Sequence, residues 1–488
     1  MISLSINDLC KATKGQFKAG YLTSENSQHI AIDSVSTDTR TIQKNDLFIA
    51  LKGPSFDAHQ LLQEALDKGA AVLLVEAGND LSIAKNNLVI EVEDTRIALG
   101  LLSSYIKQQL SDLKCAAITG SNGKTTCKEL LSAILAVHCG DKNKVLATAG
   151  NFNNDIGLPL TLLRLEEKHQ FAVVELGANH IGEIAYTSAL AKPDVALVNN
   201  IMPAHLEGFG TLQGVATAKA EIWSSLSDSG IAVVNLDADF ADEFVQKLQT
   251  KKQKLLSFTQ ETNNKTSVLA DVFATDISFN DLGQANFTLN ARQAESIKTT
   301  SIQLNLPGRH NISNALAAST MALALGCSLE SIQEGLNHLQ QVAGRVNSVV
   351  ISEHLTVIDD TYNANSASVR AGIDLLAQYQ SQHVLVMGDM GELGEFAEQE
   401  HRIIGKYAQK QGIERLFTVG NLSQHTTSEY NAASKTIDAE HFFDKEKLKS
   451  AINRYLSSET SRVVVLVKGS RSAKMEQIVA FIKNEFSE

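Results

Sequence analysis

The residues best suited to chemistry lie in a short segment rich in glycine and hydroxyl groups, Gly120-Ser-Asn-Gly-Lys-Thr-Thr126. Residues 115–118 before it form an apolar run typical of a buried strand, and residues 124–137 after it have helical apolar spacing. A glycine loop between a strand and a helix can turn backbone N–H groups toward a phosphate, where the helix N-terminus adds positive partial charge. Lys124 can then reach the β- and γ-phosphates of a nucleotide, and the Thr125 hydroxyl can bind Mg²⁺.

This loop is shorter than the usual phosphate-binding loop, G-x-x-x-x-G-K-[ST]. That pattern needs a glycine at position 118, where this chain has Ile118. The alternative interpretation is an ordinary glycine turn before a core helix, with an exposed lysine. The flanking strand and helix favour the phosphate loop.

The composition places the chain among large globular proteins. Its 488 residues are too many for one ordinary core, so about three domains are expected. The hydrophobic fraction of 43% is typical of a globular protein. A net charge of −12 argues against a nucleic-acid partner, which needs clustered Lys and Arg. Five cysteines without regular spacing favour a reducing cytosol over a disulfide framework. Neither a signal peptide nor a membrane span is predicted, so the expectation is a cytoplasmic protein without membrane insertion.

The elements that must position this loop follow an α/β pattern throughout. Residues 1–95 alternate short β-rich runs with helical stretches and predict a small N-terminal α/β domain. Residues 96–335 predict a central ATPase domain of the P-loop type with a parallel sheet, whose stretch at 260–305 forms an antiparallel extension. Residues 336–488 predict a C-terminal Rossmann-like α/β domain. In such sheets ligands bind at the carboxyl ends of the strands, where Glu175, His205 and Asp237 stand.

Seven motifs together resemble the Mur ligase family, the ATP-dependent amide-forming enzymes that build the peptide of bacterial cell-wall precursors. The resemblance covers the whole chain. The motifs are highly specific for this family when they are taken together, although no single motif would be. The motifs are the loop at 120–126, Asn151-Phe-Asn-Asn-Asp-Ile-Gly157, Glu175-Leu-Gly-Ala-Asn-His180, Ala204-His-Leu-Glu207 with Ala218-Lys-Ala-Glu221, Pro307-Gly-Arg-His-Asn311, Gly344-Arg345 and Asp359-Asp-Thr-Tyr-Asn-Ala-Asn365.

Within the family, two motifs favour the branch that adds D-alanyl-D-alanine to a UDP-muramoyl-tripeptide. They are the ELGANH run beginning at Glu175 and the DDTYNAN run ending at Asn365. The Asp-Asn-Pro-Arg signature of the branch that adds a diamino acid is absent from the sequence. Two positions depart from the family pattern, since Ala343 and Ser366 stand where proline is common.

The resemblance implies activation of a carboxylate by ATP as an acyl phosphate, which an amine then attacks. Lys124, His205 and Lys219 are the catalytic residues that it implies, and two Mg²⁺ ions assist them. Thr125 and Glu175 would bind the first ion, and His205 and Lys219 the second. An ammonium cannot ligate a cation, so the resemblance implies a carbamylated Lys219, whose anionic oxygens suit Mg²⁺.

Further site residues are implied in the same way. The nucleotide site comprises the loop residues Gly120, Ser121, Asn122, Gly123, Lys124, Thr125 and Thr126, the adenine contacts His310, Asn311 and Asn314, and Arg345 and Asp360, which reach it when the domains close. Asn311 has helix N-capping as its alternative role. The UDP-muramoyl-tripeptide would bind Thr37, Asp38, Arg40, Lys52, Gly53, Asn151, Asn153 and Asn154, and D-alanyl-D-alanine would bind Tyr362, Asn363 and Asn365. A monomer is expected.

Three alternatives stay open at the level of sequence. The first is another enzyme of the same fold, such as a folylpolyglutamate synthase or the ligase that adds a diamino acid. The second is a P-loop switch or transport ATPase, which would need a D-x-x-G element or an apolar run ending in Asp-Glu that the chain lacks. The third is a pure binding module, which the metal-suited residues at strand ends disfavour.

Overall fold

The structure is a computed structural model that describes residues 1–18, 31–32, 34–79, 82, 87–203, 206–260, 269–293, 296–339, 344–433 and 438–487. Of residue 206 only the backbone is described. Its strands form three sheets, which follow one another along the chain. Predicted residue His205 and the departure at Ala343 lie outside the described residues.

The first sheet has the order β1-β5-β4-β3-β2, and only β1 runs antiparallel to its neighbour. Alternating apolar strands and short helices build it, as the sequence predicts. Its strands are β1 Gln16–Lys18, β2 Val35–Ser36, β3 Leu47–Ile49, β4 Val72–Glu76 and β5 Leu88–Val92, and its helices are α1 Ile6–Thr13 and α2 Leu62–Asp67, with 3-10 turns at Thr39–Thr41 and Ala58–Leu61.

Helix α3, Thr95–Gln108, connects the first sheet to the second. The Asp94 carboxylate starts this helix by accepting hydrogen bonds from the amides of Arg96 and Ile97. Its buried face, which includes Leu99 and Leu102, belongs to a single apolar core that spans both sheets. The first unit, at residues 1–95, is therefore packed against the central unit, at residues 96–335.

The second sheet has the order β14-β13-β12-β11-β10-β9-β6-β8-β7 and is parallel except for β13 and β14. The predicted antiparallel extension is thus confirmed. The strands are β6 Lys114–Thr119, β7 Val145–Ala147, β8 Phe171–Glu175, β9 Val195–Val198, β10 Ile231–Asn235, β11 Lys254–Thr259, β12 Val272–Phe279, β13 Gln284–Gln293 and β14 Ser296–Pro307.

Helices cover both faces of this sheet, because its central strands are apolar on both sides. They are α4 Lys124–His138, α5 Gly157–Leu162, α6 Glu183–Ala191, α7 Leu206–Phe209, α8 Leu212–Ala220, α9 Ala241–Thr250, α10 His310–Ala324 and α11 Leu329–Asn337, with 3-10 turns at Lys142–Lys144 and Glu221–Ser225.

The third sheet has the order β15-β16-β20-β17-β18-β19, and β15 alone is antiparallel to its neighbour. Its strands are β15 Asn347–Val350, β16 Leu355–Asp360, β17 Gln382–Gly388, β18 Arg415–Val419, β19 Ala439–Phe442 and β20 Val463–Lys468, and its helices are α12 Ser366–Leu376, α13 Ala397–Lys410, α14 Gln424–Ala433, α15 Lys445–Ser458 and α16 Glu476–Phe486, with 3-10 turns at Gly394–Phe396 and Arg471–Ala473.

The three-domain α/β architecture is the one that the sequence predicts. The three sheets fall in turn within residues 1–95, 96–335 and 336–488, while the exact boundaries stay a prediction. The central strands were recognised because they are short apolar runs that are rich in β-branched residues. In the described part of the chain, no helix combines the length and apolar character needed to cross a bilayer.

Candidate active site

The glycine loop lies between β6 and α4, as predicted. Two of its glycines have left-handed backbone angles, with φ 155° at Gly120 and φ 78° at Gly123. A Cβ atom on Gly123 would lie 2.4 Å from Oδ1 of Asn314, so a side chain here would collide with α10. Only glycine combines this backbone angle with so close an approach.

Asparagines at the end of β9 hold the loop in place, and they were not predicted. The Asn199 side-chain amide donates to the Asn122 carbonyl and to Asn314 Oδ1, at 3.0 Å each. The side chain of Asn200 donates to the same carbonyl at 3.0 Å and accepts from the Asn122 amide at 2.8 Å. The rule that ligands bind at strand ends could have found both residues, since they directly follow an apolar run.

Lys124 begins α4 and folds back over the loop. Its Nζ donates to the Gly120 carbonyl at 2.8 Å. Burial lowers its pKa, and the nearby cation Arg345 acts in the same direction, against the Glu175 carboxylate. The hydrogen bond to Gly120 places Nζ of Lys124 directly over the loop, where a phosphate group would pair with it.

Thr125 and Glu175 form the candidate metal centre. The Thr125 hydroxyl donates to Oε2 of the Glu175 carboxylate at 3.2 Å. Oε1 of the same carboxylate is buried and has no hydrogen-bond partner within the described residues. An orphaned carboxylate oxygen beside a hydroxyl is a donor set that suits a hard cation.

Lys128 lies behind this pair and was not predicted. Its buried Nζ is 4.0 Å from Glu175 Oε1 and donates to the Thr148 carbonyl at 2.8 Å. The Thr148 hydroxyl accepts in turn from the Glu175 amide at 3.0 Å. Lys128 lies four residues after Lys124, one helical turn further along α4, and this spacing is the sequence signal that could have identified it.

Lys219 lies near the end of α8 and is only 2% exposed. Burial lowers its pKa well below the ordinary lysine value, and the charge of Lys124 lowers it further. Within the described residues its Nζ makes no ion pair and lies 5.9 Å from the centre of the Phe209 ring. Burial in these surroundings favours the neutral, nucleophilic form of the amine.

The third unit, at residues 336–488, contacts the loop through two residues. An Arg345 guanidinium nitrogen donates to the Thr125 hydroxyl at 2.7 Å, and the guanidinium lies 4.0 Å from the centre of the Tyr362 ring. The Asn365 side-chain amide donates to Asn122 Oδ1 at 2.6 Å. Both contacts cross between the central and third sheets, so the predicted convergence of these units is present.

Asp360 also faces the cleft, but a buried lysine holds it. Lys468 Nζ lies 2.5 Å from Asp360 Oδ2 and donates to the Asn363 carbonyl at 3.0 Å. Lys468 ends β20 beside β16, which ends at Asp360. Sequence reasoning missed this lysine because only the sheet register brings the two strand ends together.

The predicted adenine residues lie at the start of α10. Asn311 and Asn314 are buried, and Asn314 donates to Asn311 Oδ1 at 3.0 Å. The alternative role of Asn311 as an N-cap is wrong, because Arg309 takes the cap position and Asn311 donates to the Pro307 carbonyl at 2.8 Å. Burial lowers the pKa of His310, which favours the neutral imidazole.

One cleft of about 1310 Å³ collects most of the predicted residues. The predicted residues in its lining are Ser121, Asn122, Gly123, Lys124, Thr125, Thr126, Asn151, Asn153, Asn154, Glu175, Lys219, His310, Asn311, Asn314, Arg345, Asp360, Tyr362, Asn363 and Asn365. In the described part of the chain, no group of three or more His, Cys, Asp or Glu side chains forms a metal site.

The predicted residues of the first unit do not line this cleft. Arg40 has an 84% exposed side chain and pairs with Asp38 at 2.5 Å, which lowers the pKa of that carboxyl to about 2. Lys52 lies 4.0 Å from Asp57 on an exposed loop, whose turn is closed by a hydrogen bond from the amide of Gly53. These residues and Thr37 therefore lie outside the cleft that holds the phosphate loop.

Comparison with known proteins assigns the chain to a class. Three Mur ligase family models match it: the Mur ligase family catalytic domain at residues 31–107, the Mur ligase middle domain at 118–322 and the Mur ligase glutamate ligase domain at 344–471. The chain belongs to the Mur ligase family.

Within this family, the chain is similar to two proteins named UDP-N-acetylmuramoyl-tripeptide--D-alanyl-D-alanine ligase. The protein from Haemophilus influenzae is 41% identical over 94% of this chain and 95% of its own length, and that from Escherichia coli is 41% identical over 98% of each. The crystal structure of MurF from Acinetobacter baumannii superposes with a TM-score of 0.87, at 36% identity over 99% of each chain. A MurF ligase from Thermotoga maritima in complex with ADP superposes at 0.78, with 27% identity over 93% of this chain and 97% of that one.

Proposed function

We propose that this chain is the ligase that joins D-alanyl-D-alanine to UDP-N-acetylmuramoyl-tripeptide, with conversion of ATP to ADP and phosphate. The observation that carries the proposal is the single cleft in which a phosphate loop, a metal-suited carboxylate and a polar face of the third unit meet. The similarity to ligases of this name over nearly the full length selects the substrates.

The reaction needs an activated carboxylate, because carboxylate oxygen is a poor leaving group at neutral pH. Phosphoryl transfer from ATP gives an acyl phosphate, the dipeptide amine attacks its carbonyl carbon, and phosphate leaves. Lys124 and Arg345 place positive charge beside the loop, where the transferred phosphoryl group carries negative charge. The contacts from Arg345 and Asn365 hold the third unit against the phosphate loop, and closure of the cleft from this side would keep water from a hydrolysable intermediate.

The residues present fit Mg²⁺. Thr125 and Glu175 would hold one ion, because the orphaned Oε1 of Glu175 lies beside the threonine hydroxyl. Lys219 would contribute to a second ion as a carbamate, because burial favours its neutral amine, which is the form that reacts with CO₂. Bound Mg²⁺ supplies charge neutralisation at the phosphates. The predicted partner of Lys219, His205, stays part of the proposal although it lies outside the described residues.

The substrates divide between the units in this proposal. The UDP end binds the first unit near Thr37, Asp38, Arg40, Lys52 and Gly53, and the peptide end enters the cleft past Asn151, Asn153 and Asn154. The dipeptide binds near Tyr362, Asn363 and Asn365. We place the enzyme in the cytoplasm, since ATP and UDP-linked precursors are found there, and we expect a monomer.

The test measures phosphate release and product mass. Release is expected only when ATP, UDP-muramoyl-tripeptide and D-alanyl-D-alanine are all present, with a product heavier by one dipeptide less water. The variant Lys124→Ala should lose turnover with an unchanged circular dichroism spectrum, since Lys124 pairs with phosphate. Phosphate release that is independent of the dipeptide would contradict the proposal and favour a simple ATPase.

A further inference from the structure

One arginine of the third unit, Arg370, lines the cleft but has no part in the proposed mechanism and no partner among the described residues. Arg370 lies on α12 and is half-buried in the cleft lining. Within the described residues its guanidinium makes no hydrogen bond and no ion pair. An arginine that lines a cleft without a partner on the protein leaves its guanidinium N–H groups free to bind a ligand.

The other cations that line the cleft have assigned tasks. Lys124 and Arg345 serve the phosphate loop, Lys468 pairs with Asp360, and Arg471 lies 3.5 Å from Glu476. Lys219 is buried, and its pKa lies well below the ordinary value. Arg370 is therefore the guanidinium of the cleft that stays available for a ligand.

The helix itself offers Arg370 a partner that it does not use. Asp374 lies four residues further on, the spacing at which arginine and aspartate commonly pair on a helix. Its carboxylate instead accepts from the Tyr407 hydroxyl at 2.5 Å and from the Gln411 amide at 2.9 Å. Because Asp374 is hydrogen-bonded to Tyr407 and Gln411, the guanidinium of Arg370 stays available for a ligand in the cleft.

The position of Arg370 along α12 matches the length of the acceptor. Asn365 caps this helix and contacts Asn122 in the phosphate loop at 2.6 Å, which fixes the helix N-terminus near the reacting centre. Arg370 follows five residues later, roughly 7.5 Å along the helix axis. An extended dipeptide spans roughly 7 Å from its amine to its carboxylate.

We propose that Arg370 binds the free carboxylate of the incoming dipeptide and so orients its amine toward the acyl phosphate. This inference rests on the proposed function. A guanidinium suits the task because its planar pair of N–H groups matches the two oxygens of a carboxylate. Arg370 therefore determines acceptor specificity and takes no part in the phosphoryl-transfer step.

The experiment compares kcat/KM for two acceptors on two forms of the enzyme. D-alanyl-D-alanine and its C-terminal amide are compared on the wild type and on Arg370→Met. With the wild type, the amide should lower kcat/KM by about 10- to 100-fold, the range for a hydrogen-bonded charge. Arg370→Met should lose the same factor with the dipeptide, mainly through KM, and should barely distinguish the two acceptors. KM for ATP and for the UDP-substrate should stay unchanged.

Three further variants test whether the effect is specific to the guanidinium of Arg370. Arg454→Met removes an exposed arginine of α15 in the same unit that does not line the cleft, and should behave as wild type. Arg370→Lys keeps the charge but loses the fork, and should recover part of the discrimination. If Arg370→Met fails to fold, Arg370→Gln carries the same cycle.

The possible failures are distinct. Wild type that makes no product with D-alanyl-D-alanine would overturn the proposed function. Wild type that makes product and discriminates the amide, beside a variant that discriminates equally well, would overturn the role of Arg370 alone. A variant that slows equally with both acceptors would show a structural arginine and would also overturn it.

Discussion

The guanidinium of Arg345 donates a hydrogen bond of 2.7 Å to the hydroxyl of Thr125, and the same hydroxyl donates to Glu175 at 3.2 Å. One threonine thus links a cation from the third unit to a buried carboxylate of the central unit. These two units meet at the phosphate loop itself, so their relative position bears directly on the proposed reaction.

Loss of this contact should open the cleft. Arg345→Ala should lower kcat by roughly 10²- to 10³-fold, the usual effect of removing one preorganised donor. Because one contact between the units is lost, the radius of gyration of the free variant in X-ray scattering should exceed that of the wild type. Arg454→Met, whose arginine lies outside the cleft, is the control. A slow but equally compact Arg345→Ala would limit this arginine to charge neutralisation and contradict its role in closure.

Activity lost with Lys219 should be recovered by small carboxylates. Lys219→Ala removes the proposed carbamate and leaves a gap of its size in buried surroundings. Acetate or propionate should raise the activity of this variant, because each supplies anionic oxygens. Chloride and alkylamines should not, and surface variant Lys247→Ala should need no rescue. Recovery with an amine would mean that Lys219 works as a cation.

The buried amine of Lys219 should also make stability depend on pH. Its folded pKa is lowered by burial, so the unfolded chain binds more protons between that lowered value and the ordinary lysine pKa. Stability should therefore rise with pH across this window in CO₂-free buffer. Lys219→Met should remove this part of the rise, as monitored by thermal unfolding. Identical pH profiles for the two proteins would contradict a lowered pKa.

Arg40 should affect one substrate only. Its side chain is 84% exposed and lies outside the cleft that holds the phosphate loop. Arg40→Ala should weaken binding of the UDP-substrate and leave ATP binding unchanged, as measured by calorimetry. Lys44→Ala, an exposed lysine of the same unit, is the matched control. Equal losses for both ligands would refute a separate UDP site.

Lys468 should stabilise the third sheet. It is 2% exposed and pairs with Asp360, so Lys468→Met leaves a buried carboxylate unpaired at a cost of about 3–5 kcal/mol. The double variant Asp360→Asn with Lys468→Met should cost less than the sum of the single changes. Hydrogen exchange of the amides of β16 and β20 in the full chain measures the loss of stability in each single variant and in the double variant. Additive costs would show that the two side chains are not coupled.

The sequence by itself determined the elements and the loop. Strands such as β6 and β8 are short apolar runs, and helix α4 follows its glycine loop directly, so local periodicity sufficed to predict them. The order of the motifs was equally informative, since strand, glycine loop and helix are adjacent in the chain. These features depend on neighbours in sequence, which is the information that one chain contains.

Only the tertiary structure decided which distant side chains meet. The register of β16 against β20 places Lys468 beside Asp360, 108 residues apart, and the packing of the third unit places Arg345 on Thr125, 220 residues apart. Likewise the role of Arg370 depends on the cleft that surrounds it, since no local pattern in the sequence singles this arginine out. Contacts between residues far apart in the chain depend on how whole units pack, and a periodic pattern along one segment contains no information about that packing.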